Sequence, residues 1–321
     1  MSILPRVWSS WALRLVGLVV VLWGVSLLTF GLQQMAPGDP AEVLLRSRAE
    51  SPSSEQIAAL RQELGLERPL PRRYLDWLSQ AVRLDLGRSL YTGAPVAAEI
   101  AARLPATFEL AGASFILVVL LSSLAGAWAA WHPGQASDRL PRWFSLALVS
   151  LPSYWLGLLL IYALALRLGW LPASGRDGWA SLVLPSLTLA LGVAAMQGRI
   201  LRAGVLEVLG QDFVRFAHAK GLGRRRVLLG HVLRAALGPM LALWGMTLGH
   251  LLGGALVVET VFAWPGLGRL LVEAVLGRDW PLVQGVVLFM TLALIAASQA
   301  SDLAGALLDP RQKGGGGLGR S

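Results

Sequence analysis

The 321-residue chain contains no cysteine. That excludes a disulfide framework and any cysteine-bearing metal centre, and it leaves the redox compartment open. Charge is scarce. Only 15% of residues are Asp, Glu, Lys or Arg, against 55% hydrophobic, and mean hydropathy is +0.59. Soluble domains carry about 25% charged residues, so an ordinary soluble domain is excluded. Acid is scarcer than base, 19 against 28, for a net charge of +9. No G-x-x-x-x-G-K-[ST] loop is present: Gly314 to Gly317 lie in the tail, with no lysine after them and no following helix. No paired His, Asp, Glu or nucleophile arrangement falls within an apolar run, so the chain reads as no enzyme.

What the chain has is long apolar runs. Runs of 18 or more residues are the transmembrane signature. Inside hydrocarbon every backbone group must bond internally, so such runs are helices; the short alternating segments of a barrel are absent. Six spans are expected: about Leu15 to Leu32, Leu110 to Trp131, Trp143 to Leu166 with a kink at Pro152, Leu182 to Met196 continuing to Leu209, Met240 to Phe262, and Leu282 to Ser301. The first run is longer than a signal-peptide core of about 7–15 residues, so an uncleaved helix is expected. The fold class is therefore all-α integral membrane protein. Trp131, Trp143, Trp170, Trp179, Trp264 and Trp280 fall near span ends, where interfacial anchors belong.

Between the first two spans lies a long polar stretch, residues 37–106, in which Arg and Asp/Glu balance. Ser51 is expected to cap a short helix over Pro52 to Leu64 that Gly65 ends. Tyr74 to Leu84 reads as amphipathic, with Leu75, Trp77, Leu78 and Val82 as its apolar members. Lack of a positive excess assigns this stretch to the outer face. The chain thus divides into residues 1–36 with the first span, the extracytoplasmic region 37–106, the main transmembrane domain 107–309 and a Gly-rich tail 310–321 expected to be disordered.

The densest basic run is GQDFVRFAHAKGLGRRRVLLGHVLRAALGP, Gly210 to Pro239. It reads as helix, turn, helix. Gln211 and Asp212 open the first helix, Gly221 and Gly223 break it, and Arg224 to Leu237 forms the second, ended by Gly238-Pro239. Val227, Leu228, Val232 and Ala235 give that second helix an apolar stripe, with His231 among them. With six spans both termini share one side with this loop, and also with Arg6, Arg14, Arg139, Arg142, Arg311 and Lys313. The excess of bases on cytoplasmic loops makes that side cytoplasmic and accounts for the net charge; no reader motif supports nucleic acid.

This loop resembles the so-called EAA loop of the membrane subunits of ABC importers, in the form found in the peptide/nickel permease group. Arg215-Phe216-Ala217 stands at the name-giving position, Gly221 at the loop glycine and Pro239 at the closing proline; the first two letters of the name are not matched. The resemblance covers nearly the whole chain. It extends to Pro37-Gly38-Asp39-Pro40, Asp85-Leu86-Gly87-Arg88-Ser89, Leu104-Pro105-Ala106-Thr107, Ser150-Leu151-Pro152-Ser153-Tyr154-Trp155, Glu259 to Arg269 (ETVFAWPGLGR) and Leu308-Asp309-Pro310-Arg311. The chain is similar to the first of two permeases in such systems. Absence of a long insertion between spans three and four makes it look more like the nickel and glutathione-type members.

The resemblance implies a multi-pass subunit of a bacterial cytoplasmic membrane, with both termini cytoplasmic and the ABC type I importer permease fold. It implies a second homologous permease, two ABC ATPase subunits that carry ATP-Mg, and an extracytoplasmic substrate-binding protein, with no cofactor or metal on this chain. The cargo would be peptides or nickel. The loop, residues 206–238, would be the coupling helix seated on the ATPase, with Arg215 and Lys220 pairing with acids, Phe216, Ala217 and Leu222 in apolar contact, and Gly221 setting the angle.

Polar residues within the spans are candidates for the pathway: Gln197, Ser186 and Thr188 in span four, and Thr247 and His250 in span five. His250 has a bland reading as a residue bonded across helices. His132, His218 and His231 belong to loops, Glu109 and Asp302 sit at span edges, and Gly249, Gly253 and Gly254 read as close-packing positions. The rival from another class is a proton- or sodium-coupled secondary transporter, which would want inverted repeats or buried ionisable relays. Neither is visible.

Overall fold

The computed structural model describes residues 4–35, 39, 41–42, 44–45, 52–63, 65–131 and 145–308. Among these residues the regular elements are helices: α1 Leu4–Met35, α2 Ser54–Glu63, α3 Leu70–Val82, α4 Val96–Trp131, α5 Ser153–Arg167, α6 Trp179–Leu209, α7 Asp212–Ala219, α8 Arg224–Val261, α9 Leu267–Gly277 and α10 Trp280–Leu308. Five stretches are long and apolar enough to cross a membrane: Arg14–Met35, Val96–Trp128, Trp179–Leu209, Arg224–Val261 and Trp280–Ser301. The expected third span takes another form. Residues 145–150 are helical, Leu151 and Pro152 interrupt, and α5 follows as a shorter apolar helix whose second half, Ile161–Arg167, is π-helical. Pro152 sits at φ −58°, ψ 139°, a geometry that caps a new helix rather than bending an old one.

The chain divides into two compact units. One comprises Met1–Leu104 with Leu270–Ala293, the other Pro105–Arg269 with Leu294–Ser321. In the first unit, α3 lies along α1. Tyr74 Oη and Ser26 Oγ share a hydrogen bond of 2.8 Å, and the Tyr74 ring meets Phe30 edge-on at 5.3 Å. The cap of α2 is Ser53, whose Oγ accepts from the Gln56 N–H while Gln56 Oε1 accepts from the Ser53 N–H. The expected cap, Ser51, lies outside the described residues. Asp279 fixes the entry to α10, accepting from the Ser89 hydroxyl, the Leu90 N–H and the Leu282 N–H.

In the second unit, α6 packs on both α5 and α8, and α5 also packs on α8. Their shared core includes Leu110, Leu184, Leu201, Val205, Val232, Leu251, Val258 and Trp264, each at most 1% exposed. By contrast Leu15, Val16, Val19, Val20, Trp23 and Leu28 of α1 are more than half exposed. Such a face is stable only against lipid or another apolar surface.

Several boundaries differ from the sequence reading. Helix α4 begins at Val96, not near Leu110, and runs through Pro105. Proline frees the carbonyl four residues back, here that of Ala101, which is exposed and not in the packed core. Helix α8 likewise runs through Gly238-Pro239, which were expected to end it. The carbonyl freed by Pro239 is that of Ala235, also exposed. The segment after Pro265-Gly266 is not only a turn, since it contains α9. Trp264 is no interfacial anchor: it is fully buried and donates its indole N–H to Ala106 O at 2.8 Å. Trp170 and Trp179 are 71% and 80% exposed. Of the three packing glycines, Gly249 and Gly254 face neighbouring side chains, whereas Gly253 has open space beside it. His132, Arg139, Arg142, Trp143 and the tail from Asp309 lie outside the described residues, as does the side chain of Asp302.

Candidate functional site: the basic loop and the buried polar groups

The basic loop folds as a short helix set against a long one. Gln211 is the N-cap of α7, in extended conformation, and Asp212 stands in the first turn, where the helix dipole favours an acid. The inward face is apolar. Val214 is buried, and Ala217 and Leu222 are half-buried against a core that includes Val227, Leu228 and Val232. The outward face carries Arg215, Phe216 and Lys220, all exposed, with Phe216 at 69%. Arg215 reaches Asp212 at 3.4 Å, but an exposed pair of this kind is worth at most about 1 kcal/mol and does not commit the guanidinium.

The turn closes by two reciprocal bonds. Leu222 N–H donates to Ala217 O at 3.2 Å and Gly221 N–H donates to His218 O at 2.9 Å, with Gly221 at φ +79°. This is a Schellman ending, in which the left-handed position calls for glycine, and Ala217 and Leu222, joined by the outer bond, both pack against the core. Gly223 does not share that role. Its φ is −64°, open to any residue, and it serves as N-cap of α8. The predicted stripe is shifted as well: Val227, Leu228 and Val232 are buried, but the next buried position is Ala236, and Ala235 is exposed. The π-helical stretch Leu228–Val232 rotates the face beyond what a 3.6-residue period anticipates. His218 and His231 are exposed.

Of the interior candidates, the structure brings two together. Gln197 Nε2 donates to Thr247 Oγ1 at 2.6 Å, with both residues 4% exposed, and the Thr247 hydroxyl donates to Leu243 O. Gln197 Oε1 and Ser186 Oγ are buried with no hydrogen-bond partner among the described residues. Thr188 is satisfied by Leu184 O. His250 is not part of this group, being exposed on α8. Among the described residues no cluster of three or more His, Asp or Glu is placed to hold a metal.

Sequence reasoning missed one polar centre. Glu259, near the end of α8, is fully buried. Its carboxyl accepts from the Thr107 hydroxyl at 2.7 Å, the Gly268 N–H at 2.7 Å and the Arg269 N–H at 3.1 Å. Thr107 Oγ1 in turn accepts from the Leu267 N–H at 2.8 Å. One side chain from α8 and one from α4 therefore satisfy the first N–H groups of α9. A Cβ at Gly266 would collide with the Glu259 carboxyl, so close approach is what the glycine permits. Both flanking motifs were visible as ETVFAWPGLGR and LPAT. The missing signal was that a lone Glu in an apolar run needs donors, and that glycine- and proline-rich loops supply backbone N–H groups. Farther along, Arg176 pairs with Glu109, Nε to Oε2 at 2.9 Å, and stands over the Trp264 ring.

Residues 122–314 match the family model described as binding-protein-dependent transport system inner membrane component, and residues 11–111 match the model of the membrane component's N-terminal part. The chain belongs to that family. It is 41% identical over 297 residues to the glutathione transport system permease protein GsiC of Escherichia coli (strain K12), covering 92% of this chain and 96% of that one. GsiC of Shigella dysenteriae serotype 1 (strain Sd197) matches to the same extent. Among solved structures, the inward-facing MetNI methionine ABC transporter gives a TM-score of 0.56 at 17% identity, over 66% of this chain and 96% of that chain. An amino acid ABC transporter gives 0.51 at 16%, over 64% and 92%.

As a binding-protein-dependent permease of the peptide/nickel type, the chain is a multi-pass inner-membrane subunit of an ATP-driven ABC importer. It is not a secondary transporter, which removes the rival reading. ATP hydrolysis belongs to a separate subunit, in keeping with a sequence that has no phosphate-binding loop. An ATPase and a substrate-binding protein are therefore its partners.

Proposed function

We propose that this chain is one of two homologous permeases that together form the import pathway for glutathione or a short peptide, with two ATPase subunits binding ATP-Mg below them. The observation that carries the cargo reading is the 41% identity to a glutathione permease over 92% of the chain. Arg215, Phe216, Ala217, Lys220, Gly221 and Leu222 form the surface that seats on the ATPase. An exposed phenylalanine between two exposed cations, on a helix whose other face is buried, is what an apolar socket rimmed with acids would take. Residues 37–106 face the binding protein. The termini and the basic loop are cytoplasmic, because Arg and Lys concentrate beside them.

Closing of the ATPase pair on ATP draws the coupling helices together and favours the outward-open pathway; hydrolysis restores the inward-open one. ATP does work here only through its differential affinity for the two states. Gln197, Thr247 and His250 are the pathway candidates on this chain. Nickel is the second cargo. Its support is the resemblance to the peptide/nickel group alone, since no group of three or more metal-ligating side chains forms among the described residues.

The test is uptake of labelled glutathione, a dipeptide and nickel in cells lacking only this chain. Loss of glutathione uptake is expected. Loss of nickel uptake alone would overturn the cargo reading.

A further inference from the structure

The first unit contains a cavity of about 300 Å³ that the transport cycle described above does not use. Its position is set by the helices that build it. Phe30 and Gln33 come from the last turns of the Arg14–Met35 span, and Trp280, Pro281 and Gln284 from the first turn or two of the Trp280–Ser301 span. The cavity therefore lies at the level where two membrane spans end. Helix α3 forms another wall and reaches deeper still. Tyr74 bonds Ser26, which at 1.5 Å per residue is about 13 Å below Met35. On its exposed side α3 presents Leu75 at 61% and Val82 at 76%, with Arg72 and Ser79 at the same helical spacing, and Leu84 follows at 83%. A helix so placed lies in the headgroup layer with that side on acyl chains.

Four charged side chains line the cavity. Arg68 and Asp76 neutralise each other at 3.0 Å. The other two, Arg73 and Glu63, make no ion pair among the described residues. Arg73 is half-buried, its guanidinium pKa lowered by burial, and its partner among the described residues is the neutral amide oxygen of Gln34 at 3.3 Å. A half-buried cation with only a carbonyl to answer it is undersatisfied. Glu63 is an exposed carboxylate on the same cavity. Trp77 and Trp280 stand beside them, the residue type that belongs at the membrane–water boundary.

We propose that this cavity holds the headgroup of a zwitterionic phospholipid bearing a primary ammonium, with its phosphate on Arg73 and its ammonium on Glu63. A cation and an anion that make no ion pair among the described residues select against a headgroup of net negative charge, which Glu63 would repel. A trimethylated ammonium offers Glu63 no N–H to accept. The acyl chains continue along the exposed sides of α3 and α1. The site serves to tie the extracytoplasmic helices to the bilayer.

The test uses the whole transporter, purified with its partner subunits, stripped of lipid in detergent and examined by native mass spectrometry. Phosphatidylethanolamine, phosphatidylglycerol and phosphatidylcholine are added in turn. The wild type is expected to retain phosphatidylethanolamine in preference to the other two. Arg73→Gln is expected to lower that retention about tenfold, the size of one lost charge-assisted hydrogen bond, and Arg73→Lys to restore most of it. Glu63→Gln is expected to bring phosphatidylethanolamine and phosphatidylglycerol to about parity by removing the repulsion. Should Arg73→Gln fail to assemble, Glu63→Gln decides, since that side chain is exposed. Equal retention of all three lipids by the wild type would overturn the proposal. So would displacement of the lipid by free phosphoethanolamine or a dipeptide at matched concentration, which would make the cavity a site for soluble zwitterions.

Discussion

Replacing Thr107 by Val removes one hydroxyl and keeps the shape. That hydroxyl does two things at once: it donates to Glu259 at 2.7 Å and accepts from the Leu267 N–H at 2.8 Å. Thr107, Glu259 and Leu267 are at most 3% exposed, so no bulk water replaces the loss. Each buried polar group left unpaired costs about 1–3 kcal/mol, which puts the pair at about 2–6 kcal/mol before relaxation. Thr107→Ser keeps the hydroxyl and deletes one buried methyl, worth about 1 kcal/mol. At about 2–4 °C per kcal/mol for a chain somewhat smaller than this one, the difference of about 1–5 kcal/mol should put Val about 2–20 °C below Ser. The assay is thermal unfolding of the purified transporter followed by tryptophan fluorescence, for which Trp264, bonded to Ala106 next to Thr107, is a local reporter. If Val and Ser melt within about 2 °C of each other, the three-way bond among α4, α8 and α9 does not hold them together as argued.

Gly266→Ala forces a methyl into the Glu259 carboxyl and should destabilise by about 1–3 kcal/mol, lowering the same melting midpoint; an unchanged midpoint would mean the loop moves aside freely. Gly221→Val places a β-branched residue at φ +79°, costing about 1–2 kcal/mol at the turn, and should reduce uptake per ATP hydrolysed in reconstituted vesicles while membrane insertion stays normal. Phe216→Ala, 69% exposed, should leave the isolated subunit's melting unchanged and weaken co-purification of the ATPase; equal recovery of ATPase would remove Phe216 from the docking surface. Gln197→Leu removes the donor to buried Thr247 Oγ1, at a cost of about 1–3 kcal/mol, and relieves a buried amide oxygen with no partner among the described residues, a gain of similar size, so melting should change little, and a loss of uptake at unchanged melting would mark a pathway role.

The membrane class, five of the six expected spans and the helix–turn–helix of the basic loop were legible in the sequence because each rests on a local signal: run length, a glycine at a left-handed turn, an acid in a first turn. What escaped depends on how far a local rule reaches. Pro105 and Pro239 look like boundaries because proline removes a donor, yet each helix continues, and the carbonyl each frees belongs to an exposed residue, Ala101 or Ala235, rather than to the packed core. The cap at Ser53 instead of Ser51, and the stripe passing through Ala236 instead of Ala235, are one- and two-residue displacements made by a capping pair and a π-helical turn. Glu259 was invisible for a different reason. Its three donors come from Thr107, far away in sequence, and from backbone N–H groups that carry no residue identity.

The missed continuity of α8 has a mechanical consequence for the loop. Because Pro239 does not end the helix, one helical rod runs from Arg224, beside the exposed face of α7, to Val261, a length of about 57 Å at 1.5 Å per residue. At its far end Glu259 is bonded to α4 and to the start of α9. A displacement applied at Val227 and Leu228, which pack in the same core as Ala217 and Leu222, is therefore delivered along a single element to a buried polar joint, with no flexible connection between. Packed interfaces of this sort shift between discrete arrangements rather than deform continuously. A break in the rod should then separate the two ends. Gly245→Pro, whose ring would remove a hydrogen bond midway and meet Ser301 across the helix contact, is expected to abolish uptake while leaving ATPase recovery with the loop intact. Uptake that survives this substitution would mean that α8 does not carry the motion.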